Sequence, residues 1–150
     1  FKELYENNVS TLSILFKGAS SLSNDDIKLS ERLYIPGKRL RGFETGKIGP
    51  KDGNDFIGGN YVSSINATTT IPTLLENVQS VDVVLFADAA NIWGVDYDSS
   101  LDKNGIRSSV GIGIDWLTPV GPLTFSFAHP VTKEPTDIEQ TFRFNIGTSF

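Results

Sequence analysis

Cysteine and methionine are absent from the 150 residues of this chain, and histidine occurs once, at His129. Without cysteine there is no disulfide framework and no thiolate metal site, and a single histidine cannot build a histidine-based metal cluster. No serine stands in a nucleophile elbow, so a catalytic triad has no support either. The sequence therefore predicts that the protein is not an enzyme and binds no metal or cofactor.

Long apolar runs and an excess of positive charge are also missing. No apolar stretch approaches the roughly 20 residues that a membrane helix needs. The net charge of −5 provides no basic footprint for nucleic acid, so we expect no nucleic-acid partner. Because the chain starts at Phe1 and contains no Met, we expect it to be the C-terminal piece of a longer protein.

The chain does contain strict alternation of apolar and polar residues, most clearly at its end. Phe142, Phe144, Ile146 and Phe150 share one parity, whereas Arg143 and small polar residues share the other. A period of two places these sets on opposite faces of a β-strand. Lipid on one side and a polar lumen on the other fit this pattern better than a soluble sheet does, so the sequence favours a transmembrane barrel.

Five further segments are strand-like, and short turns alternate with long loops between them, as in outer-membrane barrels. We predict six strands at residues 12–18, 60–71, 81–93, 108–116, 123–128 and 142–150. The long loops cover residues 19–59, 94–105 and 130–139. Six strands are fewer than the roughly eight that close a membrane barrel, and lipid tolerates no open sheet edge. Either the sheet is soluble or further strands exist; the absence of Met favours further strands.

The longest loop contains a basic segment and several glycines. Its basic segment is Arg39, Leu40, Arg41, Gly42 and Phe43, followed by Ile48-Gly49-Pro50 and by Gly58-Gly59-Asn60. Taken alone, a basic cluster is most often a solvated loop face, and glycine pairs are usually turns. Further segments follow in order: Phe86-Ala87-Asp88, Gly111 to Trp116, Pro119-Val120-Gly121-Pro122, and Phe142 to Gly147.

This ordered series spans about Thr11 to Phe150 and resembles the signature of BamA-type outer-membrane insertases, members of the bacterial surface antigen superfamily. The family motif is Val-Arg-Gly-Phe/Tyr in a long sixth loop, and Leu40 replaces its valine here. The resemblance implies an all-β fold. Residues 1–150 would be strands eleven to sixteen, all antiparallel, at the C-terminal end of a 16-stranded transmembrane barrel, with the long loop folded into the lumen. Upstream strands and periplasmic POTRA domains would lie in the missing part.

The resemblance also implies roles for individual residues. Arg41 pairs with Asp88 on the thirteenth strand, which suits an enclosed guanidinium that needs a carboxylate partner. Many relatives place a glutamate nearby on the twelfth strand, where this chain has Thr68, so we expect a simpler pair. The family's assembly machinery recognises barrel substrates by a terminal-strand signal, which corresponds here to Phe142, Phe144, Ile146, Gly147 and Phe150.

The function that the resemblance implies is insertion of β-barrel proteins into the bacterial outer membrane. Substrate strands would add at a lateral seam by β-augmentation, without ATP or a covalent step. The implied partners are unfolded outer-membrane proteins, accessory lipoproteins, periplasmic chaperones and outer-membrane lipid. Alternatives are a TamA-like or two-partner-secretion translocation barrel, a passive porin, and a soluble β-sandwich binding module.

Overall fold

The computed structural model describes residues 2–3, 8–22, 25–71, 80–102 and 104–147, and for residues 2–3 only the backbone. In chain order the strands are β1 (Lys2–Glu3), β2 (Val9–Gly18), β3 (Gly42–Phe43), β4 (Lys51–Asp52), β5 (Asp55–Phe56), β6 (Tyr61–Ile71), β7 (Val81–Trp93), β8 (Arg107–Thr118), β9 (Gly121–Thr132), β10 (Glu139–Gln140) and β11 (Phe142–Ile146). Short 3-10 helices cover Leu29–Glu31, Gly37–Arg39 and Ser99–Leu101. Among these residues no helix has the length and apolarity to cross a membrane.

One antiparallel sheet contains all the long strands, in the order β1-β2-β6-β7-β8-β9-β11. Each long strand therefore pairs with its neighbours in the chain, and β11 forms one edge of the sheet. The prediction of an all-β fold with six antiparallel strands is confirmed. The number of strands in the complete barrel stays a prediction, as does the assignment of the chain to its C-terminal portion.

The loop predicted at residues 130–139 begins too early. β9 continues to Thr132, with Pro130 paired to Ser109 beside a bulge at Ser108/Ser109. A bulge tolerates a proline because the disturbed ladder does not need its missing N–H. Two other predictions lie outside the described residues: the turn led by Pro72 and the end of the last strand, including Phe150.

The two faces of the sheet differ in chemistry as the alternation predicts. Large apolar side chains project from the outer face and are exposed; they include Leu12, Ile14, Phe16, Ile65, Leu85, Val110, Ile112, Trp116, Phe127, Phe142, Phe144 and Ile146. The inner face instead carries buried small or polar residues such as Ser64, Asn66, Asp88, Ser109 and Ser126. This arrangement is the reverse of a soluble sheet and suits lipid outside and a filled lumen inside.

The core lies between the inner face and residues 27–60, which we call the lumen loop. Loop residues Ile35, Leu40, Phe43 and Ile48 pack on Val62, Ala90 and Ile92 of β6 and β7. A two-residue pairing of β4 with β5 and a bridge between Leu33 and Gly59 order the loop's own backbone. Burial of the loop's apolar residues thus holds the basic motif against the barrel wall.

Candidate functional site: the arginine motif of the lumen loop

Arg41 and Asp88 form the ion pair that the family resemblance implies. Arg41 Nε donates to Asp88 Oδ2 and Nη2 donates to Oδ1, both at 2.7 Å. The Arg41 backbone N–H donates to the same Oδ2 at 3.1 Å. The Asp88 side chain is fully buried, whereas that of Arg41 retains 19% exposure. Bidentate geometry of this kind fixes the direction of the arginine as well as its position.

Two further groups complete the surroundings of this pair. The Arg41 guanidinium carbon lies 3.5 Å from the centroid of the Phe86 ring, which is a cation–π contact. Asn66 on β6 donates through Nδ2 to Asp88 Oδ1 at 2.9 Å. Asn66, two residues before Thr68 on the same face, therefore supplies a neutral partner to the pair, and the comparison with relatives that carry a glutamate stays a prediction.

Asn66 also connects the pair to the second arginine of the motif. Its Nδ2 donates to the Arg39 carbonyl at 2.8 Å, and its Oδ1 accepts from Arg39 Nη1 at 3.3 Å. The same Nη1 donates to Ser13 Oγ on β2 at 2.5 Å. Arg39 and Arg41 therefore tie one short stretch of loop to three adjacent strands.

Gly42 is required by both backbone conformation and space. Its φ is 93°, in the region that favours glycine. A Cβ there would lie 3.1 Å from Ala128 Cβ and 3.2 Å from Ser109 Cβ. The loop backbone consequently approaches β8 and β9 closely enough for Ser109 Oγ to donate to the Arg41 carbonyl.

A second buried ion pair, which the sequence analysis missed, joins Arg107 at the start of β8 to Asp137. Arg107 Nε donates to Asp137 Oδ2 at 2.8 Å, and both side chains are fully buried. Asp137 also accepts the backbone N–H of Gly49 at 3.1 Å and of Glu134 at 2.8 Å. Gly49 has a φ of 104°, and a Cβ would lie 2.6 Å from Ile92 Cγ2. The pair thus holds the lumen loop to the connection between β9 and β11.

A third arginine contact holds the first residues of the lumen loop to the connection that follows β7. Arg32 donates to Asp96 Oδ1 and stacks 5.0 Å from the centroid of the Tyr97 ring. Burial raises the pKa of Asp96, but hydrogen bonds from the Ile27 N–H and from the Asn60 and Arg32 side chains outweigh it and lower the pKa from 3.8 to about 2. The carboxylate therefore stays charged over the whole physiological range.

The other predicted site residues that the structure describes lie at the end of the lumen loop and on or just after β11. Gly59 exchanges backbone hydrogen bonds with Leu33, and Gly58 precedes it with a φ of 68°. On β11, Phe142 and Phe144 contact Phe127 and Phe125 of β9, each pair with ring centroids 4.9 Å apart. Gly147 follows with a φ of 87°. Phe142, Phe144 and Ile146 therefore lie on the outer face, away from the arginine motif.

An antiparallel sheet with apolar side chains outside and a loop held by arginines inside is part of the wall of a transmembrane β-barrel. Residues 2–150 match the family model of the Omp85 superfamily domain. The chain belongs to the Omp85 superfamily.

Proteins similar in sequence to this chain include BamA proteins and a SAM50-like protein. The outer membrane protein assembly factor BamA of Neisseria meningitidis serogroup B is 32% identical over 154 residues, which cover 83% of this chain and 19% of that protein. BamA of Neorickettsia risticii is 28% identical, covering 85% of this chain and 18% of that protein. A SAM50-like protein of Schizosaccharomyces pombe is also 28% identical, covering 93% and 31%. The chain thus spans about a fifth of the length of these BamA relatives.

A solved structure shows the same fold. The crystal structure of BamA from Haemophilus ducreyi lacking POTRA domains 1–3 superposes with a TM-score of 0.75 at 24% identity, over 91% of this chain and 34% of that one. The fold of the sheet and its lumen loop is therefore that of a BamA barrel.

Proposed function

We propose that this chain is part of a factor that folds and inserts β-barrel proteins into the bacterial outer membrane. Membership of the Omp85 superfamily and the names of the BamA relatives support this role. The proposed partners are unfolded outer-membrane proteins, accessory lipoproteins, periplasmic chaperones and the lipid around the outer face. The factor acts without ATP, metal or covalent chemistry, through pairing of strands.

The observation that carries the proposed mechanism is the position of the terminal strand at an edge of the described sheet. Among the described residues β11 pairs only with β9, over five residues, whereas β7 pairs on both sides, with β6 and with β8. A backbone hydrogen bond contributes only about 0.5–1.5 kcal/mol net. The side of β11 that faces away from β9 has no strand partner among the described residues, so partners can exchange there at modest cost, and an incoming substrate strand adds there by β-augmentation.

The packing of the lumen loop argues against a passive porin. A water-filled channel needs a polar, hydrated inner wall, but here Leu40 and Phe43 are each 1% exposed and pack directly on that wall. The exposed apolar outer face argues equally against a soluble sandwich. Translocation barrels share the superfamily, and the experiment below distinguishes them by the substrate that crosslinks.

A crosslinking experiment tests the seam. The described chain has no native cysteine, so single cysteines can be placed at Phe144 on β11 and, as a control of similar exposure, at Ile112 on β8. These outer-face side chains are 43% and 39% exposed. In membranes containing the complete protein, a folding barrel substrate with one strand cysteine should form a disulfide with Phe144→Cys and not with Ile112→Cys. Equal yields at the two positions would refute insertion at the terminal edge, and crosslinks to secreted passengers alone would identify a translocation barrel.

A further inference from the structure

Arg143, on the inner face of β11, binds backbone carbonyls of the lumen loop. Its Nη1 donates to the Gly37 carbonyl, and its Nη2 donates to the Phe43 carbonyl at 2.6 Å and to Thr45 Oγ1 at 3.3 Å. Within the described part of the chain no carboxylate pairs with it. Because its loop acceptors are mainly backbone carbonyls, Arg143 binds the loop only while that backbone keeps its present shape.

The segment leading into β11 is attached to the same part of the loop. β10 pairs with β3, so that Glu139 lies opposite Phe43 and Gln140 opposite Gly42. Two further backbone hydrogen bonds, Glu44 N–H to the Ile138 carbonyl at 2.8 Å and Ile138 N–H to the Lys47 carbonyl at 3.0 Å, extend this contact. Loop residues 42–47 thus support the terminal strand from inside, beside the five pairs that it makes with β9.

The same loop residues follow directly after Arg41, which Asp88 holds to β7 in the middle of the sheet. A continuous chain of contacts therefore runs from β7 through the Arg41–Asp88 pair and the loop backbone to Arg143 on β11. We propose that Arg143 is a positioning residue that couples the lumen loop to the terminal strand. While Asp88 holds the loop, the loop in turn holds the terminal strand. When the loop leaves the wall, Arg143 loses its acceptors in the loop and keeps only Gln140 Oε1 on β10, and the edge of β11 becomes available to substrate.

This inference rests on the proposed function for its purpose, but the coupling can be measured without any substrate. The complete protein is reconstituted in lipid nanodiscs, and amide hydrogen exchange is followed for residues 142–146. Hydrogen bonds to a charged group are worth more than neutral ones, so Arg143→Gln should accelerate exchange there by about tenfold or more. Lys133→Gln is the control, because it also removes one positive charge, from the connection that follows β9. The ion-pair partner of Lys133 is Glu139, and this exposed pair should change exchange less than about twofold.

A second variant keeps Arg143 and displaces the loop from it. A Cβ on Gly37 would lie 2.8 Å from Arg143 Nη1 and 2.3 Å from Thr45 Oγ1. Gly37→Ala should therefore accelerate exchange in β11 while the wall strands β6 and β7 keep their protection. If Arg143→Gln does not fold, this variant decides: unchanged protection of residues 142–146 in Gly37→Ala would overturn the coupling.

The decisive measurement combines two substitutions, one that removes the loop's contact with β7 and one that removes its contact with β11. Asp88→Asn alone, although it is on β7, should accelerate exchange in β11, and adding Arg143→Gln should change it less than about twofold further, because both act through one contact. Multiplying effects would mean that Arg143 acts only locally, and the inference would fail. Substrate folding rates on the same variants separate the two proposals: coupled exchange with unchanged folding rates refutes the seam and leaves the coupling intact.

Discussion

Replacing Asp88 by asparagine removes the charge that holds Arg41 to the barrel wall while keeping the shape of the side chain. The carboxylate is fully buried and accepts four hydrogen bonds, three from Arg41 and one from Asn66. Breaking a desolvated pair costs about 3–5 kcal/mol. Asparagine still offers one acceptor, and Arg41 keeps some contact with water, so we expect a loss of about 3 kcal/mol, at the low end of that range.

The loss of stability should be measurable both in the lumen loop and in the unfolding of the whole barrel. A change of about 3 kcal/mol raises the open population of the loop by roughly 150-fold, so trypsin should cleave the loop faster in membranes containing Asp88→Asn. The heat-induced unfolding transition of the barrel should also fall. Asp82→Asn is the matched control, because Asp82 lies on the same strand and the same parity but is exposed.

A double-mutant cycle isolates the pair itself. Arg41→Gln, Asp88→Asn and the double variant should give a coupling of about 1.5–3 kcal/mol, since contacting charged residues are not additive. Equal effects of Asp88→Asn and Asp82→Asn, or a coupling near zero, would show that burial of the loop's apolar residues alone holds the motif in place.

Four further predictions follow from other positions. Gly42→Ala should destabilise the loop by about 1–3 kcal/mol through its left-handed φ, measured as faster trypsin cleavage. Arg107→Gln and Asp137→Asn should each lower the unfolding transition, since either one leaves a fully buried charge without its partner. The pKa of Asp96 is lowered to about 2, so its stabilisation should be fully present above about pH 4 and disappear as the pH falls through 2, seen in loop protection against acid-stable protease. Phe150→Leu should slow assembly of the protein with little change in its thermal stability, and normal assembly would reduce Phe150 to an interface anchor.

The faces of the strands were predictable because the period of two is a local property. The parity of Phe142 against Arg143, or of Asp88 against Ala87, needs no knowledge of distant residues. The same parity could have flagged Arg107, which shares the inner face of β8 with Ser109, as a charge in need of a partner. Its partner Asp137 could not be named in this way, because 30 residues separate them and a loop decides their approach.

The contacts of the lumen loop were harder to predict than the strands. Arg41 and Asp88 could be paired only through the family resemblance, since periodicity says nothing about which loop residue reaches which strand. Arg143 and Gly37 lie 106 residues apart, and their contact depends on the whole path of the loop across the inner face. The contact of Asn66 with Asp88 could not be predicted from the family pattern. The family's glutamate position corresponds to Thr68, whereas the amide that binds the carboxylate lies two residues earlier.

The two tryptophans of the chain mark how thick a membrane this wall fits. Trp93, stacked on Tyr61 with centroids 5.7 Å apart, ends β7, and Trp116 pairs with Val81 at the other end of the same strand. The 13 residues of β7 span about 40 Å along the strand, and a tilt of 35–45° reduces this to roughly 30 Å across the bilayer. Aromatic rings lie at the lipid headgroups. A bilayer thinner than this span must therefore thicken locally around the protein, or the strands must tilt further from the membrane normal. Bilayer thickness therefore bears on how this part of the barrel wall stands in the membrane.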